Sequence, residues 1–489
     1  MQQNELTTRR HWLQQTGCGF GMLGLAGLMH SEGLLESSAT AATSRALNPM
    51  APLKPHFPAR AQRVIWLYIN GGPSHVDTWD YKPTLAKMDG KSIKEFDSTF
   101  KDTTGFFKNS VGNLMKSPFQ FKPRGECGKM VSEIFPQLGA HVDKMAFIHS
   151  GFATSNNHSP ALFMMNTGRT QMGYPCVGSW VMYGLGSESQ NLPGFVVMSD
   201  PKGRGLPKGS AANWGAAYLP GAYQGTHLRP KGAPIDNLLR PTTMTDPQQR
   251  EQIDFIQQLN RFHQSEHKAE AALAARIESF ELAYRMQTAA PEALDISKET
   301  KETLKMYGME DDRCAHFARQ CLMARRLIER DVRFIQIYSG GMENQRSWDG
   351  HIDIKGNHSQ FAGETDQPIA ALLTDLEQRG LLKETLLIWC GEFGRLPIAQ
   401  TGKKPGRDHN PHCFTAWMAG GIKGGTTYGA SDDIGYKAAE KKVHVHDLHA
   451  TLLHMLGLDH KKLTFMRNGL RTRLTGVGED GNVLKDIIA

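Results

Sequence analysis

The sequence predicts an α/β fold with a mostly parallel central sheet and helices on both faces. Three observations predict it: short, almost continuous apolar runs, glycine-rich breakers that follow them, and amphipathic segments between them. A strand that is apolar on both sides is typical of a parallel sheet covered by helices. Strand, helix and strand in this order imply right-handed crossovers between parallel strands.

Four apolar runs are predicted as strands, and each ends at or close to a glycine. They are residues 64–69, 334–338, 385–389 and 414–418. Residues 366–379 carry apolar side chains at helical spacing and are followed by Gly380, a typical helix C-cap. Residues 447–456 predict a closing helix. The second half of the chain therefore alternates strands with helices.

The segment 248–306 differs from the rest of the chain. It is polar, rich in Gln, Glu and Ala, and almost free of Gly and Pro. We expect helices there that form an insertion packed on one side of the sheet. A separate helical domain is the alternative, and the absence of a linker disfavours it. Residues 63–489 are therefore predicted as one domain, preceded by a Pro-containing linker over residues 42–62.

The N-terminus has the pattern of an export signal. Paired Arg9 and Arg10 precede a Gly-rich stretch, residues 11–31, without Asp, Glu, Lys or Arg. Small residues around Ala41 then offer a cleavage site. Five glycines dilute the apolar stretch too much for a membrane span, which is the alternative interpretation. We predict a twin-arginine signal peptide over residues 1–41, a periplasmic or secreted protein, and no stable membrane anchor after cleavage.

The charge of the chain is mildly basic. There are 56 Lys and Arg against 49 Asp and Glu, a formal net charge of +7. The basic residues are scattered, without a run or an interleaved aromatic stripe. This pattern is compatible with anionic substrates and argues against a dedicated nucleic-acid-binding protein.

Carboxylates and imidazoles cluster next to the predicted strands. SHVD from Ser74, WDGHID from Trp348 and GEFGR from Gly391 follow the first three strands, and RDHNPH from Arg407 stands just before the fourth. Ligands of open α/β sheets bind beyond the carboxyl ends of the strands. One His–Asp pair is more often a structural hydrogen bond than a metal site. The coincidence at successive strands favours a shared divalent-metal site, for Zn, Mn or Ca.

Here the chain resembles a known family. GGPSHVDTWD from Gly71, GEFGR and RDHNPH resemble the bacterial domain-of-unknown-function family fifteen-oh-one, often labelled sulfatase-like. The resemblance runs from about Arg63 to Leu458. That family is similar to the alkaline phosphatase superfamily, which implies the alkaline phosphatase and sulfatase fold and suggests two-metal hydrolysis of phosphate or sulfate esters.

The resemblance implies a set of metal ligands. They are Asp77, Asp349, His351, Glu392 and His409, with His412 as the rival of His409. Phe393 departs from the superfamily, which usually has a ligating histidine at that place.

The nucleophile also departs from the superfamily. Sulfatases carry a Cys or Ser nine residues before a Thr-Gly pair, and counting back from Thr167 lands on His158. Formylglycine chemistry is therefore not supported. Ser159 or Thr154 could be a metal-activated nucleophile, and His158 lies beside the attacking group or is itself a ligand. Arg395 is predicted to bind the anion, the alternative being a pairing with Glu392 or a carbonyl.

We therefore predict an exported divalent-metal-dependent hydrolase acting on an anionic small-molecule or glycan ester of phosphate or sulfate. The alternative is a catalytically degenerate metal- or glycan-binding protein on the same fold. A metal-dependent isomerase or phosphotransferase, like the mutases of the superfamily, is a third hypothesis.

Overall fold

The computed structural model describes residues 48–100, 111–229, 242–266, 271–476 and 481–489, with residues 235, 238 and 240. The predicted signal peptide, residues 1–41, lies outside them. Among the helices described, none combines the length and the hydropathy that crossing a membrane requires.

The strands are numbered in chain order. They are β1 (Arg63–Ile69), β2 (Val111–Leu114), β3 (Phe121–Arg124), β4 (Lys129–Ser132), β5 (Met145–Phe152), β6 (Phe195–Met198), β7 (Thr226–Leu228), β8 (Phe334–Ser339), β9 (Thr385–Cys390), β10 (Gly394–Gln400), β11 (Gly406–Asn410), β12 (Phe414–Ala419), β13 (Thr426–Tyr428), β14 (Ala430–Ser431), β15 (Ala438–Glu440), β16 (Val443–His444), β17 (Phe465–Arg467) and β18 (Leu470–Thr472).

The α-helices are numbered in the same way. They are α1 (His75–Thr78), α2 (Pro83–Lys87), α3 (Ile93–Phe96), α4 (His158–Thr167), α5 (Val177–Leu185), α6 (Asp246–Glu266), α7 (Ala271–Leu294), α8 (Lys301–Tyr307), α9 (Ala315–Ile328), α10 (Ile354–Gln378) and α11 (Val445–Met455).

A nine-stranded sheet forms the centre of the molecule. Its order is β13–β5–β12–β9–β1–β8–β6–β7, and β16 also pairs with β5. The four predicted strands are β1, β8, β9 and β12, and all four lie in this sheet. Most neighbours are parallel, including β8 and β9 on the two sides of β1. The predicted class, α/β with a mostly parallel central sheet, is confirmed.

One strand departs from the expected parallel order. β12 runs antiparallel to both of its neighbours, β9 and β5. Its connection from β9 contains the antiparallel pair β10–β11 and no helix. Parallel neighbours need a long crossover, usually helical. Without one, the chain returns beside β9 in the opposite direction.

Helices cover both faces of the sheet, as predicted. Trp66 and Tyr68 of β1 lie in a core with α4, α5 and α11. Leu67 and Ile69 lie in a second core with α7, α9 and α10. Successive side chains of a strand point to opposite faces, so an apolar strand of this kind needs two covering layers. The uninterrupted apolar run of β1 is therefore explained by burial on both sides.

The helix expected at residues 366–379 begins earlier than predicted. α10 starts at Ile354, because the side chain of the N-cap Asp353 accepts a hydrogen bond from the Gly356 N–H at 3.0 Å. The predicted start was wrong because the first turns, up to Gly363, contain few apolar side chains. The end agrees, with Gly380 in the left-handed region at a φ of 71°.

The segment 248–306 is largely helical, forming α6, α7 and α8. Met286, Ala290 and Ala293 of α7 belong to the second core. The residues expected to be a linker contact the domain through their backbone. The Leu53 N–H donates to the Leu185 carbonyl at 2.8 Å, and the Ala61 N–H to the Met455 carbonyl at 2.9 Å.

Candidate metal centre

Two glycines bring the loops after β1, β8 and β9 into contact. Gly71 and Gly72 have φ angles of 106° and 73°. A Cβ at Gly71 would lie 2.6 Å from the Asp349 nitrogen, and one at Gly72 would lie 2.5 Å from the Phe393 ring. Only glycine adopts these angles readily and leaves this space. The Gly-Gly turn therefore sets the backbone frame of the site.

Four side chains converge at this edge of the sheet. One ligand atom from each of His158, Asp349, His351 and His409 lies within 4.8 Å of the other three. His158 is the first residue of α4, Asp349 and His351 precede α10, and His409 belongs to β11. The Asp349 Oδ1 atom is 3.3, 3.0 and 3.3 Å from the Nε2 atoms of His158, His351 and His409 respectively. We call these four residues the His–Asp cluster.

The outer nitrogen of each imidazole in the cluster faces an oxygen. The Nδ1 partners are Glu392 Oε1 for His158 (2.8 Å), Gln400 Oε1 for His351 (2.8 Å) and the Asn156 carbonyl for His409 (2.6 Å). These oxygens can only accept, so each Nδ1 carries a proton and donates it. In the neutral ring, the Nε2 lone pair then faces the interior of the cluster. This arrangement is typical of metal-ligating histidines.

The electrostatics of the cluster centre on Asp349. Burial alone would raise the pKa of its carboxyl, but Arg395 and the three imidazoles hold it well below its ordinary value. Burial lowers the pKa of His158, but its hydrogen bonds to Asp349 and Glu392 raise it to about 9. Burial keeps the pKa of His409 well below 6.5. The Asp349 carboxylate is therefore ionised, and its negative charge favours a cation at the cluster.

The donor set fits a divalent cation. The Nε2 atoms of His351 and His409 face each other at 2.8 Å, so their lone pairs require either a shared proton or a cation bound beside both. Three imidazole nitrogens and one carboxylate oxygen are ligands that Zn²⁺ and similar ions prefer. The side chain of His351 is 12% exposed, so the cluster opens to solvent beside this residue.

The comparison with protein families decides the relationship. The family model described as "Protein of unknown function (DUF1501)" matches residues 61–488. The chain belongs to the DUF1501 family. The match includes all four residues of the His–Asp cluster. A search of curated proteins finds no match.

Several solved structures show distant similarity to this chain. The PsFucS1 sulfatase from Pseudoalteromonas sp. is 10% identical with a TM-score of 0.33, covering 82% of this chain and 68% of its own. The alkaline phosphatase from the Antarctic bacterium TAB5 is 10% identical with a TM-score of 0.32, covering 81% and 98%. The phosphonate monoester hydrolase SpPMH from Silicibacter pomeroyi is 10% identical with a TM-score of 0.34, covering 72% and 71%. Identities of 10% and TM-scores near 0.3 leave the chemistry of the DUF1501 chain to be derived from its own residues.

Two of the expected carboxylate ligands have other partners. Asp77 accepts from Arg407 Nε at 2.7 Å and Nη2 at 3.1 Å, and from the Ser74 hydroxyl at 2.6 Å. Glu392 accepts from the Gly71 N–H at 3.0 Å as well as from His158. Both carboxylates lie outside the His–Asp cluster and accept hydrogen bonds from other groups of the protein. Glu392 accepts a hydrogen bond from Nδ1 of His158, on the side of the ring that faces away from the cluster.

Arg395, which is predicted to bind the anion, has internal partners in this structure. Its guanidinium is fully buried and bonds to Asp349 Oδ1 at 2.6 Å, to the Gly72 carbonyl at 2.8 Å and to the Arg407 carbonyl at 3.1 Å. The physical reason is position, because Arg395 lies opposite His409 in the β10–β11 ladder and faces the closed side of the cluster. The alternative of a carbonyl pairing agrees with the structure.

The structure places the other predicted site residues either inside or outside the His–Asp cluster. His409 is in the cluster, whereas its rival His412 is outside and has its ring 5.9 Å from that of Tyr436. Ser159 follows His158 in the first turn of α4, where its backbone N–H donates to the N-cap Asn157 at 3.2 Å. His158, predicted either to lie beside the attacking group or to be a ligand, belongs to the His–Asp cluster.

Several supporting residues were not identified from the sequence. Arg407 lies within a motif that was noted, but Gln400 and Asn156 lie in segments without any pattern. His358 is buried, and its Nε2 accepts from the Ser74 N–H at 2.8 Å. Burial lowers the pKa of His358 to about 3, so the ring stays neutral. Its closeness to the WDGHID segment was the signal that could have found it.

Two further groups of potential ligands are neutralised internally. In the group of His75, Asp80 and Cys413, Lys82 lies 3.1 Å from the Asp80 carboxylate. In the group of Asp200, His316 and Glu364, both carboxylates pair with Arg204. Asp349 also has a guanidinium partner, Arg395, but each of these two groups offers one imidazole, whereas the His–Asp cluster offers three. The His–Asp cluster is thus the better candidate.

We expect Arg407→Gln to lower the free energy of unfolding by about 3–5 kcal/mol at pH 7, because it leaves Asp77 buried without its partner. Burial would raise the pKa of Asp77, but Arg407 holds it below its ordinary 3.8. The wild-type stabilisation is therefore present above about pH 4 and declines as pH falls through the folded-state pKa. The difference between variant and wild type should shrink towards acid. Urea unfolding of both proteins at several pH values measures this difference in the free energy of unfolding.

The control for this experiment is Arg471→Gln, on the exposed hairpin β17–β18. We expect it to change the free energy of unfolding by less than about 0.5 kcal/mol. Equal stability losses in the two variants, or a loss at Arg407 that does not vary with pH, would contradict the assigned role of the Asp77–Arg407 pair.

Proposed function

We propose that this chain is an exported metal-dependent hydrolase of phosphate or sulfate esters, with its divalent ion held by the His–Asp cluster. The observation that carries the proposal is the convergence of three imidazole Nε2 atoms on one carboxylate oxygen, with every Nδ1 bonded to an oxygen. Such a site at the carboxyl ends of sheet strands is the ordinary place for a ligand in an α/β protein.

The contacts support one ion in place of the two that the resemblance implies. Asp77 is held by Arg407, and Glu392 is held by Gly71 and His158. These carboxylates would have to break internal bonds to reach a second ion. Three nitrogen donors also favour Zn²⁺ or Mn²⁺ over Ca²⁺, which prefers oxygen ligands.

A divalent ion in the cluster would supply Lewis acidity towards an oxygen of the ester. The residues of the chain prepare the site for this role. Glu392 keeps the proton of His158 on Nδ1, so that the lone pair of Nε2 can bind the ion. Arg395 offsets the charge of Asp349 and orients its carboxylate. The exposed edge of His351 is the side from which an ester reaches the cluster.

A second candidate function is a metal- or glycan-binding protein without catalysis. The observation that favours it is the burial of Arg395, whose three guanidinium nitrogens each donate to Asp349 or to a backbone carbonyl. The cluster then depends on its ion alone to attract an anion.

The functional test is turnover of phosphate and sulfate esters by protein loaded with Zn²⁺ or Mn²⁺. We expect hydrolysis of at least one aryl phosphate or aryl sulfate, reduced at least about 100-fold by Asp349→Ala, because this residue contacts all three histidines. His412→Ala is the matched control and should retain turnover, since His412 lies outside the cluster. A metal-loaded wild type that is inactive on phosphate monoesters, diesters and sulfate esters would favour the binding protein.

Metal content tests the site independently of activity. We expect elemental mass spectrometry to find about one tightly held divalent ion per chain, because the cluster offers one complete set of ligands. Asp349→Ala and His409→Ala should lose the ion, and His412→Ala should retain it. Two ions per chain would contradict the single-ion site, and a folded metal-free protein would contradict the metal centre altogether.

We expect Glu392→Gln to weaken metal affinity about 10- to 100-fold, because the neutral amide supports His158 less well than the carboxylate does. Competition with a chelator measures the affinity. Glu440→Gln, on exposed β15, is the control and should bind as the wild type does. Unchanged affinity in Glu392→Gln would contradict the supporting role. Complete loss of the ion would instead make Glu392 a direct ligand.

A further inference from the structure

A second polar cavity lies beside the β3–β4 hairpin, lined by residues other than those of the His–Asp cluster. Its volume is about 320 Å³, within the range that small-molecule sites occupy. Its wall is partly aromatic, with Tyr81 and Phe147, and partly polar, with Asp80, Lys129 and His149. Aromatic walls with a few polar groups are typical of a ligand site.

Lys129 has an unusual environment for an amine. Its Nζ atom donates to His149 Nε2 and lies 4.6 Å from the centre of the Phe147 ring. His149 is held on its other side by the Thr415 hydroxyl, 2.9 Å from Nδ1. Among the residues described, no carboxylate forms an ion pair with Lys129, since Lys82 takes Asp80 at 3.1 Å. The contacts of the amine are therefore a neutral imidazole and an aromatic face.

The surrounding groups favour the uncharged amine. Burial lowers the pKa of Lys129 to about 8, with Asp80 and Cys127 acting in the opposite direction and Lys82 adding to the effect. Burial and the neighbouring Lys129 lower the pKa of His149 to about 3, so its ring stays neutral. About one tenth of the Lys129 side chains are then uncharged at pH 7. An ordinary lysine is almost wholly protonated there.

We propose that Lys129 is a nucleophilic amine that forms an imine with a small aldehyde bound in this cavity. A desolvated lysine near a second cationic group is the usual form of an imine-forming residue. The amine lone pair attacks the carbonyl carbon and forms a carbon–nitrogen bond. A proton passes from nitrogen to oxygen, and loss of water leaves the imine. Water reverses the step, and no oxidant or reductant is needed.

The lining also indicates the kind of aldehyde. The aromatic side chains and the small volume of the cavity suit an aldehyde with a short carbon skeleton. His149 is a positioning residue, because its Nε2 atom holds the amine at the cavity wall. This activity is independent of the metal centre, since no residue of the His–Asp cluster takes part.

Reductive trapping tests the proposal on the full chain. The protein is treated with glyoxylate and sodium cyanoborohydride at pH 7, and peptide mass mapping follows labelling at each lysine. We expect Lys129 to be labelled at least ten-fold faster than Lys122, an exposed lysine on the neighbouring strand β3. Its rate should be half-maximal near pH 8. Labelling of Lys129 at or below the rate of Lys122 would overturn the proposal.

Three variants separate the cavity from general amine reactivity. Lys129→Arg should abolish the fast labelling, and Lys122→Arg should leave it unchanged. Thr427→Phe narrows the cavity without altering Lys129, because Thr427 lines it from β13. We expect this variant to slow the labelling at least ten-fold. Unchanged labelling in Thr427→Phe would show that the cavity binds no aldehyde and would overturn the assignment of a site.

Discussion

The buried charge of Asp349 is the interaction on which the functional edge of the molecule depends. A carboxylate buried to this extent requires compensation, because its desolvation costs several kcal/mol, on the order of the whole stability of a domain. Compensation comes from Arg395 of β10 and from three histidines on separate segments. The loops after β1, β8 and β9 must therefore meet, and two glycines with positive φ angles let them do so.

Two arginines pair with buried carboxylates at this edge of the sheet. Arg407 binds the Asp77 carboxylate through two nitrogens, while Arg395 binds Asp349 and three backbone carbonyls. A guanidinium presents its donors in a fixed plane and remains charged when buried, so it can neutralise a carboxylate permanently. The two acidic residues differ in their other partners: both carboxylate oxygens of Asp77 pair with Arg407, whereas Asp349 Oδ1, which pairs with Arg395, also faces three imidazole nitrogens.

Much of the architecture was predictable, and the errors have physical causes. Apolar runs identified β1, β8, β9 and β12, since burial on both faces of a sheet leaves a strong local pattern. The direction of β12 was not predictable in this way, because it depends on the connection and not on the strand. At the site, residue types next to the strands indicated the segments, and the family resemblance implied Asp349, His351 and His409 as ligands. Glu392 supports His158, and Arg395 bonds to Asp349 and to backbone carbonyls, contacts that residue type near a strand end does not specify.

The sequence by itself determined the class of the fold, the edge of the sheet where polar chemistry collects, and the residue types available there. It could do so because hydrophobic periodicity and glycine breakers are local properties of the chain. Only the tertiary structure decided which side chains face one another. His158 joins the cluster through α4, and Asn156 and Gln400 orient imidazoles that are remote in sequence. Hydrogen-bond partners are chosen by distances of about 3 Å, and no local pattern records distances between remote segments.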